Sequence, residues 1–350
     1  MKRRSFVRHS AILGTLSLGA LNGIGAPVDL LSGKEEIPRI LPERLKPGDL
    51  IGLVTPGSPI KEEQLQETVQ KLEEMGFRVY YRESVLAEYG YFAGTDEERA
   101  AELMHMFSHP EVRGIWAVRG GYGSIRILPL LDYEVIRQHP RVLIGYSDIT
   151  ALLTAIHQET GLVTFHGPLG ISDWNEFTLE ALTKVVFQPQ KRYRVPYERV
   201  EDTETNPEYD LYTIHGGRAE GGLIGGNISV LDSMTGTRFE PDFKGRIVYL
   251  EEVEEKTYRV DKMLFHLLEA TNLRQAAGIV MGVFGECNVN DEPRLTLKQA
   301  IGDLMAPLEI PVSYGLSFGH ISKMITLPNG VLARMNGDRN SLRIIEPAVT

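Results

Sequence analysis

The sequence predicts an α/β protein, with a parallel sheet covered by helices in its N-terminal half and a second, smaller α/β domain after it. In residues 49–166, short apolar segments rich in β-branched residues alternate with amphipathic helical segments, the pattern of a parallel sheet. The pattern of apolar segments and glycines changes after a mixed, polar stretch at 167–206. The 350 residues, 42% of them hydrophobic, are enough to bury a sizeable core. We therefore predict domains at 40–166 and 207–350, joined by residues 167–206.

The first strand and helix of the N-terminal domain are marked by an apolar run and a turn. Residues 50–54 are predicted as a strand, and the T-P-G-S-P segment after them turns the chain. Residues 61–75 have the pattern of a helix that Gly76 stops. Residues 77–81 then form the next predicted strand.

The remaining elements of this domain follow the same alternation. Thr95 and Glu98 fit a capping box that opens a helix ending near residue 108. Further strands are expected at 114–118, 142–146 and 163–165, and further helices from Asp132 and over 148–160, the last closed by Gly161. The domain is therefore predicted to be a doubly wound parallel sheet.

The C-terminal domain differs in composition from the first, because it contains a glycine-rich stretch at 216–226. Its predicted strands are 246–250, 278–284 and 310–314, and its predicted helices are 259–271 and 295–305. This alternation predicts a second α/β domain.

Composition excludes several classes of function. The formal net charge is −10, and no segment after the N-terminus concentrates enough Lys and Arg for nucleic acid, so no nucleic-acid partner is expected. A single cysteine, Cys287, allows neither an intramolecular disulfide nor a cysteine-based zinc cluster. No H-E-x-x-H pattern is present either, and we predict no metal and no cofactor.

The N-terminus has the layout of an export signal. Lys2, Arg3, Arg4 and Arg8 precede an apolar run at 11–20 and small residues up to position 26. The R-R-S-F-V-R run looks like a twin-arginine motif. An uncleaved anchor is the alternative, but the run is shorter than the roughly 20 residues that span a bilayer. Removal of residues 1–26 would change the net charge from −10 to −14. We predict an exported, periplasmic protein with no stable membrane span once mature.

The segment R-G-G-Y-G-S-I-R, residues 119–126, is a glycine-rich turn between a predicted strand and a predicted helix. Such a turn exposes a hydroxyl and presents free backbone N–H groups to developing negative charge, so Ser124 is placed like a nucleophile. A tight turn that needs glycine, or a phosphate-binding loop, is the alternative. The loop lacks the lysine of a P-loop.

Several motifs in one order resemble the LD-carboxypeptidase family, which also contains microcin-immunity peptidases. They are RGGYGSIRILPLLD, with IGLVTPGSP before it, and then GYSDITALL, GGLIGGNISVL, YLEEVEEKTYRVDKML and GLSFGH. The resemblance implies an N-terminal flavodoxin-like domain, similar to class I glutamine amidotransferases, and a swivelling C-terminal domain. It also implies a Ser-Glu-His triad and a homodimer.

Carried over by motif, the resemblance places the nucleophile on Ser124, the acid on Glu251 and the base on His320. A neutral imidazole would take the proton of the hydroxyl, and the carboxylate would fix the imidazole tautomer. Three rival acids lie close to the predicted one, namely Glu252, Glu254 and Glu255. Because acid and base lie in the second domain, the site is expected between the domains.

Other residues are candidates for supporting roles. The predicted oxyanion donors are the backbone N–H groups of Gly121 and Ile125. The predicted substrate-binding residues, some of which would hold the free carboxylate of a terminal D-alanine, are Arg119, Tyr122, Arg126, Ser147, Asp148 and Asn227.

Structural alternatives remain open for part of that set. An N-cap of the helix at 149–160 is a sufficient explanation of Ser147 and Asp148, and Asn227 could cap the segment after it. His166 is favoured as a structural residue.

The resulting functional hypothesis is a serine carboxypeptidase that hydrolyses the bond between an L-diamino acid and terminal D-alanine in a murein tetrapeptide, through an acyl-enzyme. Two alternatives stay open. One is hydrolysis of a microcin-type peptidyl nucleotide. The other is a catalytically silent protein that binds cell-wall peptides.

Overall fold

A computed structural model describes residues 37–199, 206–287 and 295–350. The predicted export signal lies outside the described residues. The strands are β1 Leu50–Val54, β2 Arg78–Tyr80, β3 Val112–Ala117, β4 Val142–Gly145, β5 Phe165–His166, β6 Tyr193–Arg194, β7 Tyr212–His215, β8 Arg218–Asn227, β9 Ile247–Val253, β10 Gly278–Gly285, β11 Val312–Tyr314, β12 Leu327–Pro328, β13 Leu332–Asn336 and β14 Ser341–Ile344. The α-helices are α1 Glu62–Glu74, α2 Asp96–Ser108, α3 Ser124–Ile127, α4 Tyr133–Gln138, α5 Thr150–Thr160, α6 Glu176–Leu182, α7 Ile228–Met234, α8 Thr257–Ala270 and α9 Leu297–Met305.

The first sheet has six strands in the order β12-β5-β4-β3-β1-β2. Strands β1 to β5 are parallel and give the flavodoxin-like order 2-1-3-4-5. All residues of β1 and β4 are buried, as expected for strands covered by helices on both faces. In sheets of this kind, ligands bind at the carboxyl ends of the strands.

The local signals predicted for this domain are present. Thr95 Oγ1 accepts from the backbone N–H of Glu98, and the Glu98 carboxylate accepts from the N–H of Thr95 at 2.8 Å, which completes the capping box of α2. Helix α5 ends at Gly161, whose φ is +78°. A side chain there would meet the Pro38 carbonyl oxygen, so only glycine fits.

The second sheet has eight strands in the order β6-β14-β13-β8-β9-β10-β11-β7. Strands β8 to β11 are parallel, and antiparallel strands flank them. This sheet is the larger of the two, which differs from the expected smaller second domain. It is larger because β6, from the predicted connection, and the C-terminal hairpin of β13 and β14 both join it.

The two halves of the chain interlace. Strand β12 belongs to the C-terminal half of the sequence, yet it pairs antiparallel with β5 of the first sheet. The C-terminal residue Thr350 exchanges backbone hydrogen bonds with Pro42 and Arg44. Residues 37–350 accordingly form one compact unit. Among the described residues, no helix has the length and apolarity needed to cross a membrane.

Candidate active site

Ser147 lies in a sharp turn directly after β4, at the carboxyl edge of the first sheet. Its φ is +63°, which is uncommon for a residue other than glycine and marks backbone strain of the kind found at functional sites. A short 3₁₀ turn over residues 147–149 leads into α5, so the serine occupies a strand-to-helix elbow. This geometry presents the hydroxyl above the sheet, at the start of a helical segment.

A hydrogen-bonded chain connects Ser147, His320 and Glu251. The His320 Nε2 atom lies 3.0 Å from Ser147 Oγ, and its Nδ1 atom lies 2.9 Å from Glu251 Oε2. A carboxylate can only accept, so Nδ1 carries the proton, and Nε2 is left to accept from the serine hydroxyl. The three groups therefore have the geometry of a nucleophile, a general base and an orienting acid.

The members of this chain come from both sheets. Ser147 follows β4 of the first sheet, Glu251 lies on β9 of the second, and His320 lies in the loop that leads from β11 to β12. Gly319, which precedes the histidine, has φ +113°, and a side chain there would lie 2.7 Å from the Val283 carbonyl oxygen and 3.3 Å from Glu251 Cβ. Glycine thus lets the histidine loop approach β9 closely, and the site lies where residues from the two sheets meet.

Electrostatics favour an ionised acid beside the histidine. Burial alone would raise the pKa of Glu251, but the charge of His320 and the hydrogen bond with it hold that pKa below its ordinary value of 4.5. Burial alone would lower the pKa of His320, but the negative charge of Glu251 and their hydrogen bond raise it above its ordinary 6.5. The carboxylate therefore stabilises the imidazolium that forms during proton transfer.

The two adjacent acids on β9 have different partners. Consecutive side chains of a strand point to opposite faces, so Glu251 meets His320 while Glu252 turns away from it. Glu252 accepts from Asn227 Nδ2 at 2.9 Å and from the Ser229 backbone N–H at 2.9 Å and Oγ at 2.6 Å. Burial and the charge of Glu251 raise the pKa of Glu252. Of these two acids, Glu251 is the one in contact with the histidine.

The structure contradicts the predicted pairing of Ser124 with His320, because Ser147 occupies the position facing Nε2. Ser124 is the first residue of α3 and is completely buried. Its hydroxyl lies beside the Asp148 carboxylate and has no hydrogen bond of good geometry among the described residues. Gly123, with φ +130°, turns the chain so that the serine enters the core of the first domain instead of facing the cleft.

The glycine-rich turn instead supports the elbow that carries Ser147. A side chain on Gly120 would lie 3.0 Å from Ser147 Cβ and 3.2 Å from its Oγ, so the glycine leaves room for the Ser147 side chain. The Asp148 carboxylate accepts from the backbone N–H groups of Gly123 and Ser124 at 3.2 and 2.8 Å. Asp148 thereby fastens the turn to the elbow, and it does not cap its own helix as the N-cap alternative supposed.

Replacing Asp148 with Asn is expected to lower the free energy of unfolding by about 1–3 kcal/mol, because the amide nitrogen of Asn would face a buried backbone N–H that has lost its acceptor. Thermal or urea unfolding measures this effect. Asp132 is a matched control, since its carboxylate also accepts two backbone N–H groups, those of Glu134 and Val135. Asn is an equally good cap at that exposed position, so Asp132→Asn should cost little. Equal losses in the two variants would contradict the bridging role of Asp148.

The other predicted binding residues have structural partners. Arg119 Nη1 donates to the Pro59 carbonyl at 2.8 Å, and Arg126 forms an ion pair with Asp96 at 2.8 Å. Tyr122 is about half exposed and packs against Tyr91 and Phe92.

Asn227 and the two predicted oxyanion residues also have structural contacts. The Asn227 side chain caps α7 and binds Glu252, and its backbone N–H donates to Thr150. Gly121 has φ +87°, and a side chain there would collide with Ser58. Ile125 is partly buried and packs against the hydrophobic core of the first domain.

An aromatic wall lies behind the histidine. The Tyr146 ring meets the His320 ring edge-on at 4.8 Å, and His166 packs against Tyr146, Tyr249 and Phe318. His166 is fully buried, and burial lowers its pKa to about 4, so its ring is neutral at physiological pH. Among the described residues there is no group of three or more metal-binding side chains.

A flavodoxin-like sheet that carries a serine elbow, joined to a histidine and a carboxylate from a second sheet, defines a hydrolase. Residues 51–167 match the family model of the LD-carboxypeptidase N-terminal domain. Residues 220–335 match the family model of the LD-carboxypeptidase C-terminal domain. The chain therefore belongs to the LD-carboxypeptidase family of peptidases.

Individual relatives agree with this family. The chain is 39% identical to the "Probable murein peptide carboxypeptidase" of Bacillus subtilis, over 84% of this chain and 91% of the relative. It is 33% identical to the "Murein tetrapeptide carboxypeptidase" of Pseudomonas aeruginosa, over 83% and 94%. The apo structure of the microcin C7 self-immunity protein MccF, known from Escherichia coli, superposes with a TM-score of 0.80 at 26% identity, covering 89% of this chain and 100% of that one.

Proposed function

We propose that this protein is a serine carboxypeptidase that releases terminal D-alanine from murein tetrapeptides by cleaving its amide bond to the L-centre of a diamino acid. The observation that carries the proposal is the hydrogen-bonded chain from Ser147 through His320 to Glu251. The names of the relatives from Bacillus subtilis and Pseudomonas aeruginosa supply the substrate class. Mass analysis of the products from a defined tetrapeptide tests it, with one D-alanine and one tripeptide expected per turnover.

The reaction follows from the positions of these groups. Ser147 Oγ attacks the amide carbonyl carbon while His320 Nε2 takes the hydroxyl proton. As the tetrahedral intermediate collapses, His320 gives that proton to the departing nitrogen, and D-alanine leaves from an ester on Ser147. A water molecule, deprotonated by the same imidazole, then hydrolyses the ester and restores the serine. Glu251 keeps its charge throughout and stabilises the imidazolium.

The oxyanion of the tetrahedral intermediate needs two N–H donors near Ser147. With the nucleophile at 147, the residue after it is Asp148, and its backbone N–H takes the role first predicted for Ile125. Gly121 remains the second predicted donor. Arg119 remains the candidate for the substrate carboxylate, since Pro59 occupies one of its five donors. The ion pair of Arg126 with Asp96 makes that residue the weaker candidate.

The structural likeness to MccF favours one second candidate, cleavage of a microcin-type peptidyl nucleotide. Turnover of a murein tetrapeptide and of an aminoacyl sulfamoyl nucleoside on one preparation separates the two. A catalytically silent binding protein would need no intact proton-transfer chain, and the contacts of His320 argue against it.

Export to the periplasm and assembly as a homodimer are further parts of the proposal. The basic and apolar N-terminal segment supports export. A twin-lysine variant at Arg3 and Arg4 should retain the protein inside the cell, as measured by fractionation. Sedimentation equilibrium measures the dimer.

The pH dependence of kcat/KM is expected to show an acid limb with a pKa above 6.5. His320 acts as a base only when unprotonated, and its pKa is raised above that ordinary value, so activity falls as the pH drops through the raised pKa. Glu251→Gln removes the main cause of the increase, so the limb of its residual activity should move to lower pH. A limb that stays in place in this variant would show that another group controls it.

A further inference from the structure

Four neighbouring strands of the second sheet carry a row of charged residues on one exposed face. Arg194 on β6 is paired with Arg343 on β14, Arg343 with Arg334 on β13, and Arg334 with Glu220 on β8. Residues directly opposite each other share a face of the sheet, so three arginines stand side by side at the strand spacing of about 4.8 Å. We call the exposed arginines of this region the arginine face: Arg194, Arg218, Arg334, Arg339 and Arg343.

These arginines line an open groove of about 590 Å³. Arg218 pairs across the sheet with Asn336, two residues from Arg334, and Arg339 lies in the turn between β13 and β14. Glu220 forms an ion pair with Arg334. Nearby Asp338 accepts from the backbone N–H of Gly217. Among the described residues, no ion pair is formed by the other four arginines.

The arrangement is unfavourable for the fold alone. Like charges directly opposite each other destabilise a sheet, and this face has two such pairs, 194 with 343 and 343 with 334. The whole chain, these arginines included, carries a net charge of −10. A concentration of positive charge on an acidic protein indicates an anionic partner, and arginine forks suit carboxylates in particular.

We propose that the arginine face binds the carboxylate-bearing murein polymer, so that the enzyme is anchored to the wall whose stem peptides it trims. This inference rests on the proposed function, which supplies the polymer. A mature protein of net charge −14 would otherwise be repelled by a polyanion. The arginine face supplies the local positive charge that attracts the carboxylates of the polymer.

The position of the arginine face fits an anchor separate from the catalytic cleft. Arg218 begins β8, and Asn227, which pairs with the catalytic Glu251 on β9, ends it. The two residues are nine positions apart along the strand, a distance of about 30 Å. A single tetrapeptide in the cleft does not reach that far, whereas a polymer does. Two contacts with one polymer raise the effective concentration of stem peptides at the site.

The test compares a triple variant, Arg194→Gln, Arg339→Gln and Arg343→Gln, with a control of equal charge change, Arg44→Gln, Arg137→Gln and Lys262→Gln, all exposed. The probe is purified murein sacculi stripped of phosphate-containing polymers. Co-sedimentation should weaken about tenfold or more in the first variant and little in the control, and the wild-type interaction should weaken with added salt. kcat/KM on soluble tetrapeptide should stay within about twofold in both variants.

Three outcomes would overturn the anchor: equal sedimentation of the two variants, wild-type binding only to sacculi that retain their phosphate polymers, or loss of a dimer in the first variant, which would make the face a contact between copies. Co-sedimentation needs no turnover. Failure of the anchor is therefore distinguishable from failure of the proposed activity, which the soluble tetrapeptide reports.

Discussion

Replacing Ser147 with alanine is expected to lower kcat/KM for D-alanine release by about 10⁴-fold or more, because no other hydroxyl lies within hydrogen-bond distance of His320 Nε2 in the described structure. The matched variant is Ser124→Ala. Its hydroxyl is buried on the first turn of α3 and does not contact the histidine, so its activity should stay within about tenfold of the parent.

Two further measurements make this comparison independent of folding. Thermal unfolding should show both variants folded, since each loses one hydroxyl group. A serine-reactive phosphonate should label the parent and Ser124→Ala on the peptide that contains residue 147, and should leave Ser147→Ala unlabelled. If Ser124→Ala were inactive and Ser147→Ala active, the nucleophile would be the residue indicated by the glycine-rich motif.

Replacing Glu251 with glutamine is expected to lower kcat by about 10³-fold or more with little change in KM. The neutral side chain can present its NH₂ group to Nδ1, which favours the wrong imidazole tautomer, and it no longer stabilises the imidazolium. Steady-state kinetics on a defined tetrapeptide measures the effect.

The neighbouring acid provides the control for that experiment. Glu252→Gln places an amide nitrogen among donors from Asn227 and Ser229, which should cost about 1–3 kcal/mol of stability. Its activity should remain within about tenfold, because Glu252 does not touch the histidine. A variant of Glu252 that loses kcat while keeping its stability would reverse the two assignments.

Much of the fold could be predicted from the sequence because its signals are local. The buried apolar run of β1, the capping box at Thr95 and the glycine after α5 each specify an element without knowledge of the rest. Strand β12 could not be predicted in this way. It is two residues long, and its pairing with β5 depends on where the chain returns in space.

The sequence predicts Glu251 and His320 as partners, and they form a hydrogen bond, whereas the serine that contacts His320 is Ser147 and not the predicted Ser124. The glycine-rich turn at 119–126 indicates Ser124 as the nucleophile, but its glycines are required because the turn packs closely against neighbouring segments of the chain. The signal for Ser147 was available in G-Y-S-D-I, a serine directly between a buried strand and a helix. An N-cap explains such a serine equally well at the level of sequence. Only its positive φ and its distance to His320 distinguish the two roles.

Strand β12 has a consequence for dissecting the enzyme. The loop that bears His320 is tethered on one side to β11 of the second sheet and on the other to β12 of the first, so the path of the polypeptide itself holds His320 between Ser147 and Glu251. A fragment ending before residue 327 would lack β12 and would leave β5 as an unpaired edge strand. The free backbone groups of such an edge pair readily with other chains. The nucleophile-bearing half expressed in isolation would consequently self-associate, however complete its own sequence motifs look.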